Sequence, residues 1–228
     1  MKIKLIILLI LINGCATTNT LTVSTPSGKP DIFIIKVTKK QVTDEFVNQM
    51  LNQGFSVKST SEYNIVFVKP MNDFASSLLL GSHYDVTPEH RVTANFVESS
   101  SGVRIVLTNQ GITNPGSAYE RVTDLSKGKS GNSWQQFLSS FASMFKGRIG
   151  VDSDEQGAII TVFDGSPAQQ CGIKVGDKII SIDGNPFKDR SQAISQIIGE
   201  PDTIVELILL RNDDKLNFKI ARKIYPYK

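Results

Sequence analysis

One segment constrains the fold of this chain more than any other: Gly165-Ser166-Pro167-Ala168-Gln169-Gln170-Cys171-Gly172-Ile173-Lys174-Val175-Gly176-Asp177. Ser166 suits a helix N-cap, and Pro167 suits the first helical position, where a missing N–H leaves nothing unpaired. Gly172 can end that short helix in the left-handed region. After the Gly176-Asp177 turn, Lys178 to Ile182 is rich in β-branched residues, and Asp183-Gly184 signals a tight turn. The expectation is a short helix held between two strands by glycine-dependent turns.

Together with its flanks, this segment resembles bacterial PDZ domains of the kind attached to HtrA-like and C-terminal-processing proteases, over residues 146–225. Gly147-Arg148-Ile149-Gly150-Val151 resembles the carboxylate-binding loop of that family, and Gly157 to Phe163 the strand that follows. Ala193 to Gly199 resembles the helix lining the peptide groove, and Thr203 to Arg211 the closing strand with its terminal arginine. Two positions depart from the pattern. Asp202 stands where the family usually has glycine, and Asp tolerates the left-handed region; Cys171 stands where it usually has alanine.

The resemblance implies a partly open β-barrel with two helices, and recognition by β-augmentation. An extended peptide would add a strand beside Ile149 to Ser153, with its free C-terminal carboxylate held by backbone N–H groups of the loop. Arg148, Ile149, Gly150, Val151, Ala193, Ile194 and Ile197 are the candidate peptide-binding residues. Helical spacing places Ala193 and Ile197 on one face and Ile194 and Ile198 on the next, so at least one pair is expected in the core. Arg148 can assist a carboxylate or simply be solvated.

At the other end, Lys2 and Lys4 precede an apolar run from Leu5 to Ile12 and then Asn13-Gly14-Cys15, the layout of a bacterial lipoprotein signal. The run is too short to span a bilayer, which needs about 20 apolar residues. Resemblance to lipoproteins implies cleavage before Cys15, lipidation of its sulfur and stable membrane attachment. Ala16 replaces the aspartate that retains enteric lipoproteins in the inner membrane, which favours the outer membrane, facing the periplasm. Loss of Lys2 and Lys4 lowers the formal net charge from +3 to +1. Neither that charge nor any basic, aromatic-interleaved run points to nucleic acid. The remaining cysteine, Cys171, is expected to be a buried, unreactive thiol in the PDZ core.

Residues 15–30, rich in Thr and Ser, suit a flexible tether. Residues 31–110 read as a small α+β domain resembling no family in particular. Its elements are a strand at Asp31 to Val37, a helix opened by the capping box Thr38/Gln41 and stopped near Gly54, strands at Phe55 to Ser59 and Tyr63 to Lys69, and a hairpin of Arg91 to Glu98 with Val103 to Thr108. Residues 71–81 fit helix or loop. Residues 111–131 read as a linker in which Tyr119 to Leu125 can add a short strand. Residues 132–145 read as an amphipathic helix capped by Asn132 or Ser133, with Trp134, Phe137, Leu138, Phe141, Met144 and Phe145 on one face. That face is expected to pack on the N-terminal domain or the PDZ, with a partner or membrane surface as the alternative.

Catalysis finds little support. Gly131-Asn132-Ser133 echoes the nucleophile motif of HtrA-like enzymes, but Trp134 follows where those enzymes have glycine beside the oxyanion hole. The N-terminal domain is short for a trypsin-like double barrel, and little chain follows the last PDZ strand for a processing-protease domain. His83 and His90, with Asp85 and Glu89, lack a recognised metal-site spacing. The expected fold is therefore α+β, a small N-terminal domain followed by the PDZ unit. The expected function is a non-enzymatic outer-membrane lipoprotein without cofactor or metal, binding a protein C-terminus as an adaptor or scaffold in envelope assembly, secretion or proteolysis. The alternative is a structural subunit of an envelope complex with an occluded groove; a serine protease-like enzyme comes third.

Overall fold

A computed structural model of the protein describes residues 25–71 and 87–224. The expected leader, Cys15, the tether up to residue 24, the ambiguous stretch from residue 72 to 81, His83 and Asp85 lie outside the described residues.

Alternating burial builds the first unit. Val92, Ala94 and Phe96 on one strand, and Val103, Ile105 and Leu107 on the next, are buried at every second residue, as one face of a sheet requires. The strands are β1 (Asp31–Ile35), β2 (Ser56–Thr60), β3 (Asn64–Pro70), β4 (Glu89–Ser99), β5 (Gly102–Thr113) and β6 (Arg121–Asp124). They form an antiparallel sheet in the order β1-β5-β4-β3-β2, and β6 also pairs with β5. The β1 partner is the first half of β5 and the β6 partner its second half, so β1 and β6 lie end to end. Residues 25–30 form a turn that joins the same sheet, Leu107 N–H donating to Pro30 O at 2.9 Å.

Two helices bury their apolar faces in this unit. In α1 (Lys39–Asn52) the Thr38/Gln41 capping box has both halves present, Val42, Phe46 and Met50 are buried one turn apart, and Gly54 follows at φ +82. The aromatic helix, α2 (Gly128–Ser143), buries Trp134, Leu138 and Phe141 in the same cluster, which resolves its docking in favour of the N-terminal domain. It starts a turn earlier than expected, with Lys127 rather than Asn132 or Ser133 at the N-cap and no side-chain cap. A buried amide ties the first turn of α2 to the sheet instead: Asn109 Nδ2 donates to Ser130 Oγ at 2.7 Å and to Leu125 O at 3.2 Å. Ser133 sits inside the helix, donating back to Lys129 O at 3.1 Å.

The second unit contains β7 (Val151–Ser153), β8 (Ile159–Val162), α3 (Pro167–Gln170), β9 (Lys178–Ile182), β10 (Asn185–Pro186), α4 (Arg190–Ile197), β11 (Ile204–Arg211) and β12 (Asp214–Ala221). β10-β9-β11-β12 is one antiparallel sheet and β7-β8 a separate hairpin, joined at the isolated bridge Ala158–Lys178. These are open sheets rather than the partly open barrel expected. β7 has only three residues, and register breaks at Asp152/Ser153 and Ile208/Leu209 interrupt the ladders. The turn chemistry matches expectation: Ser166 accepts from Gln169 N–H, Pro167 opens α3, Gly172 follows at φ +83, and Asp202 takes φ +64.

Cys171 departs from its expected place in the core and is exposed. α3 is only four residues long, and the chain fills the interior with Ala168 and Ile173 on either side of it. Beneath it Asp177, 1% exposed, accepts from Arg211 Nε at 2.6 Å and Nη2 at 2.7 Å and from Lys174 N–H at 2.9 Å. Burial alone would push its carboxyl up, but the Arg211 guanidinium and that N–H outweigh burial and hold it below the usual carboxylate range.

Candidate peptide-binding groove

Between β7 and α4 lies a groove of about 250 Å³, and all seven candidate residues line it: Arg148, Ile149, Gly150, Val151, Ala193, Ile194 and Ile197. Helical geometry divides their roles. Ala193 and Ile197 belong to the hydrophobic core as well as the groove, whereas Ile194 is 43% exposed and forms the wall with Ile198. Ile149, fully buried, closes the floor at the loop end.

The loop is tied on both sides. Gly147 and Gly199 exchange main-chain bonds of 2.8 and 3.0 Å, and Arg148 and Lys223 exchange bonds of 2.8 and 2.9 Å. Ile149 O accepts from Ala168 N–H at 2.9 Å, and Gly150 O from Phe163 N–H at 3.0 Å. The N–H groups of Ile149 and Gly150 donate to no acceptor among the described residues. Two consecutive spare donors in a loop whose carbonyls are already engaged form a site for an anion. Glycine is required at 150: φ is +80, and a Cβ there would stand 2.2 Å from Ser166 Cβ.

Three contributions to the groove were not visible in the sequence. Arg222, 7% exposed, donates from Nε to Ile197 O at 2.8 Å and from Nη2 to Gln196 O at 2.7 Å, satisfying carbonyls at the end of α4. Gly147 and Gly199 leave it room, since a Cβ on either would fall within 3 Å of its side chain. The alternation Ile220, Arg222, carried one residue past the end of β12, is the one local signal that this arginine turns inward. Phe163 lines the groove from just past the end of β8, and Arg190, first residue of α4 behind the Asp189 cap, reaches across to β7. Asp152 raises the Arg190 pKa through its hydrogen bond and its charge. Arg148 donates to Ser143 O at 3.2 Å, linking the loop to the end of α2.

Of the residues weighed for catalysis or metal binding, Ser133, His90 and Glu89 do not line the groove. His90 packs its ring against Phe55 and Trp134 and bonds Asn109 Oδ1, and burial pushes its pKa down. Glu89 pairs with Arg91 and Lys58. Among the described residues no three His, Cys, Asp or Glu side chains gather as a metal site, and no helix is long and apolar enough to cross a membrane.

A family model described as "PDZ domain" matches residues 147–221. Carboxy-terminal processing protease CtpB of Bacillus subtilis (strain 168) is 38% identical over 99 residues, spanning 40% of this chain and 20% of that protein. The chain therefore spans about a fifth of the length of this curated relative. Among solved structures, the photosystem II D1 C-terminal processing protease is 16% identical, with a TM-score of 0.34 over 43% of this chain and 33% of that one. The HtrA-type protease AlgW with decapeptide is 14% identical, with a TM-score of 0.37 over 75% of this chain and 63% of that one.

Proposed function

From the premise that residues 147–221 are a PDZ domain homologous to those of proteases, we propose that the groove takes the free C-terminus of an extended protein segment. The chain is, in this reading, a non-enzymatic, lipid-anchored outer-membrane protein acting as an adaptor or scaffold in envelope assembly, secretion or proteolysis. The observation that carries the peptide reading is the pair of unengaged N–H donors at Ile149 and Gly150, next to an apolar groove and the short strand β7. Donors there suit a carboxylate, the strand edge suits an extended main chain, and Ile194, Ile197 and Ile198 suit an apolar side chain.

The anchor rests on Lys2, Lys4, the Leu5 to Ile12 run and Cys15. The non-enzymatic reading rests on Ser133, the one serine in a nucleophile-like motif, lying on the exposed side of α2 with its hydroxyl bonded to its own helix. The decisive test displays a library of C-terminal peptides to residues 16–228 and retests each hit as free acid and as amide. Selective loss on amidation supports carboxylate capture; hits indifferent to amidation, or none, refute it. For the anchor, Cys15→Ala is expected to release the protein from the membrane fraction of expressing cells, and retention there would overturn lipidation.

A further inference from the structure

Strand β1 has an outer edge with main-chain groups to spare. Leu107 N–H donates to Pro30 O and Lys36 N–H to Ser101 O, each at 2.9 Å, so even-numbered residues bond β5 while Asp31, Phe33 and Ile35 turn their main-chain groups away from it. At Asp31 one side chain engages both groups: Gln135 Oε1 accepts from Asp31 N–H, and Gln135 Nε2 donates to Asp31 O, each at 2.9 Å. The primary amide stands where a peptide group of a neighbouring strand would. The outward N–H and C=O groups of Phe33 and Ile35 have no partner among the described residues. They border a cleft of about 530 Å³ between β1, the end of α2 and Gly199 to Pro201. Such a row of unpaired groups is a template for another strand.

The chain entering β1 supplies one. Gly28 N–H donates to Thr25 O at 3.0 Å, Gly28 takes φ +64, and Lys29 O accepts from the Thr25 hydroxyl. Pro26, Ser27 and a left-handed Gly28 make a three-residue hairpin loop, which sends the residues before Thr25 back along β1. Pairing Thr25 with Lys29 sets Val23 opposite Asp31, Leu21 opposite Phe33 and Asn19 opposite Ile35, the three residues whose groups face outward. Thr20-Leu21-Thr22-Val23 has the alternating, β-branched composition of a strand. We propose that Asn19 to Val23, outside the described residues, docks on the outer edge of β1 as a further antiparallel strand, the Val23 main chain displacing Gln135 from Asp31. The displacement trades one donor and one acceptor for another, while both bonds form anew at each of Phe33 and Ile35. Leu21 lies beside the Phe33 side chain, 45% exposed without it. With the Cys15 anchor proposed above, residues 16–18 alone separate lipid from fold, about 10 Å when extended, which holds the first sheet close to the membrane surface; only this last consequence rests on the anchor.

The test reads amide exchange at Asp31, Phe33 and Ile35 in residues 16–228 and in variants of it. The Phe33 and Ile35 amides of the unaltered protein are expected to exchange about tenfold more slowly than those of Leu21→Pro, which loses the donor facing Phe33 O and cannot continue the ladder. Gln135→Ala is expected to leave Asp31 exchange unchanged on its own and to quicken it in combination with Leu21→Pro, because the helix amide is needed only where the strand is missing. Fast exchange at Phe33 and Ile35 in the unaltered protein overturns the proposal, as does slow exchange that survives Leu21→Pro. In the latter case, protection lost on dilution assigns the edge to a second copy, and protection at every concentration assigns it to the walls of the cleft. Quickened Asp31 exchange in Gln135→Ala alone overturns it too, since Gln135 would then still hold Asp31. None of these measurements involves the peptide groove or lipid, so failure here is distinct from failure of either reading.

Discussion

The two hydrophobic cores are made of different side chains. The first closes around rings: Phe46 has the centroids of Phe67, Phe96, Phe137 and Phe141 within 5.2 to 5.8 Å, and Trp134, Phe55 and Phe145 extend the cluster. The second buries Ile, Val, Leu and Ala, with Phe187 and Phe218 packed only at its margin. A ring removes a large area from water in one residue, so long strands and two helices can meet on a few of them. An aliphatic core of short strands depends more on where the backbone turns. Gly150, Gly157, Gly165, Gly172, Gly176, Asp183, Gly184 and Asp202 all take positive φ in the second unit. Side-chain packing organises the first unit, and main-chain geometry organises the second, where main-chain groups are also the proposed ligands.

Phe46→Ala is expected to do the most damage, about 3–5 kcal/mol, because the side chain is fully buried among four rings. Trp134 is the chain's single tryptophan and lies in the same cluster, so its fluorescence during urea unfolding reports that loss. If amides of β9 and β11 lose protection to the same extent, the two cores are one cooperative unit and the contrast fails. Leu207→Ala, in the aliphatic core, is expected to cost about 3 kcal/mol, seen in exchange at β9 and β11 with the Trp134 transition unmoved. Gly150→Ala should cost about 2 kcal/mol or more and abolish peptide binding, since the new Cβ is both left-handed and in collision with Ser166. A variant as stable as the parent would show the loop to be softer than its contacts imply.

The smallest effect is one of pH. Burial lowers the pKa of His90 below the unfolded value of about 6.5, so between the two values the unfolded chain binds more protons than the folded one. Stability is therefore complete above that unfolded value and falls as pH drops toward the folded one. The loss should appear as a decline in stability as pH falls below about 6.5, read by Trp134, with a flatter slope in His90→Gln. An unchanged slope would assign the pH dependence to another group.

What could be read from the residues followed the same division. The turns of the second unit were legible because Ser166, Pro167, Gly172 and the Asp183-Gly184 pair each admit few backbone conformations. The seven groove candidates converge because the loop and α4 carry local patterns. Arg190 and Arg222 were not legible: their partners lie about 38 and 25 positions away, and no local period encodes such pairings. Cys171 was misplaced because a helix of four residues has no face that spacing can define. In the first unit, the Thr38/Gln41 box and the strand alternation predicted elements, but nothing local said that α2 would complete that sheet's core, or that Asn109 would tie its first turn to the sheet.

The reach of Arg148 and Arg222 bears on how this domain can be excised. Similarity to the family covers residues 147–221, yet Arg222 and Lys223 fall just after that window, and the Ser143 carbonyl that receives Arg148 falls just before it. A fragment trimmed to the window would lose the guanidinium that secures the end of α4 and the strand partner of the carboxylate loop. The excised domain that keeps its groove runs from the last turn of α2 through Lys223, and one cut at the limits of similarity is expected to fold around its aliphatic core with the groove slack.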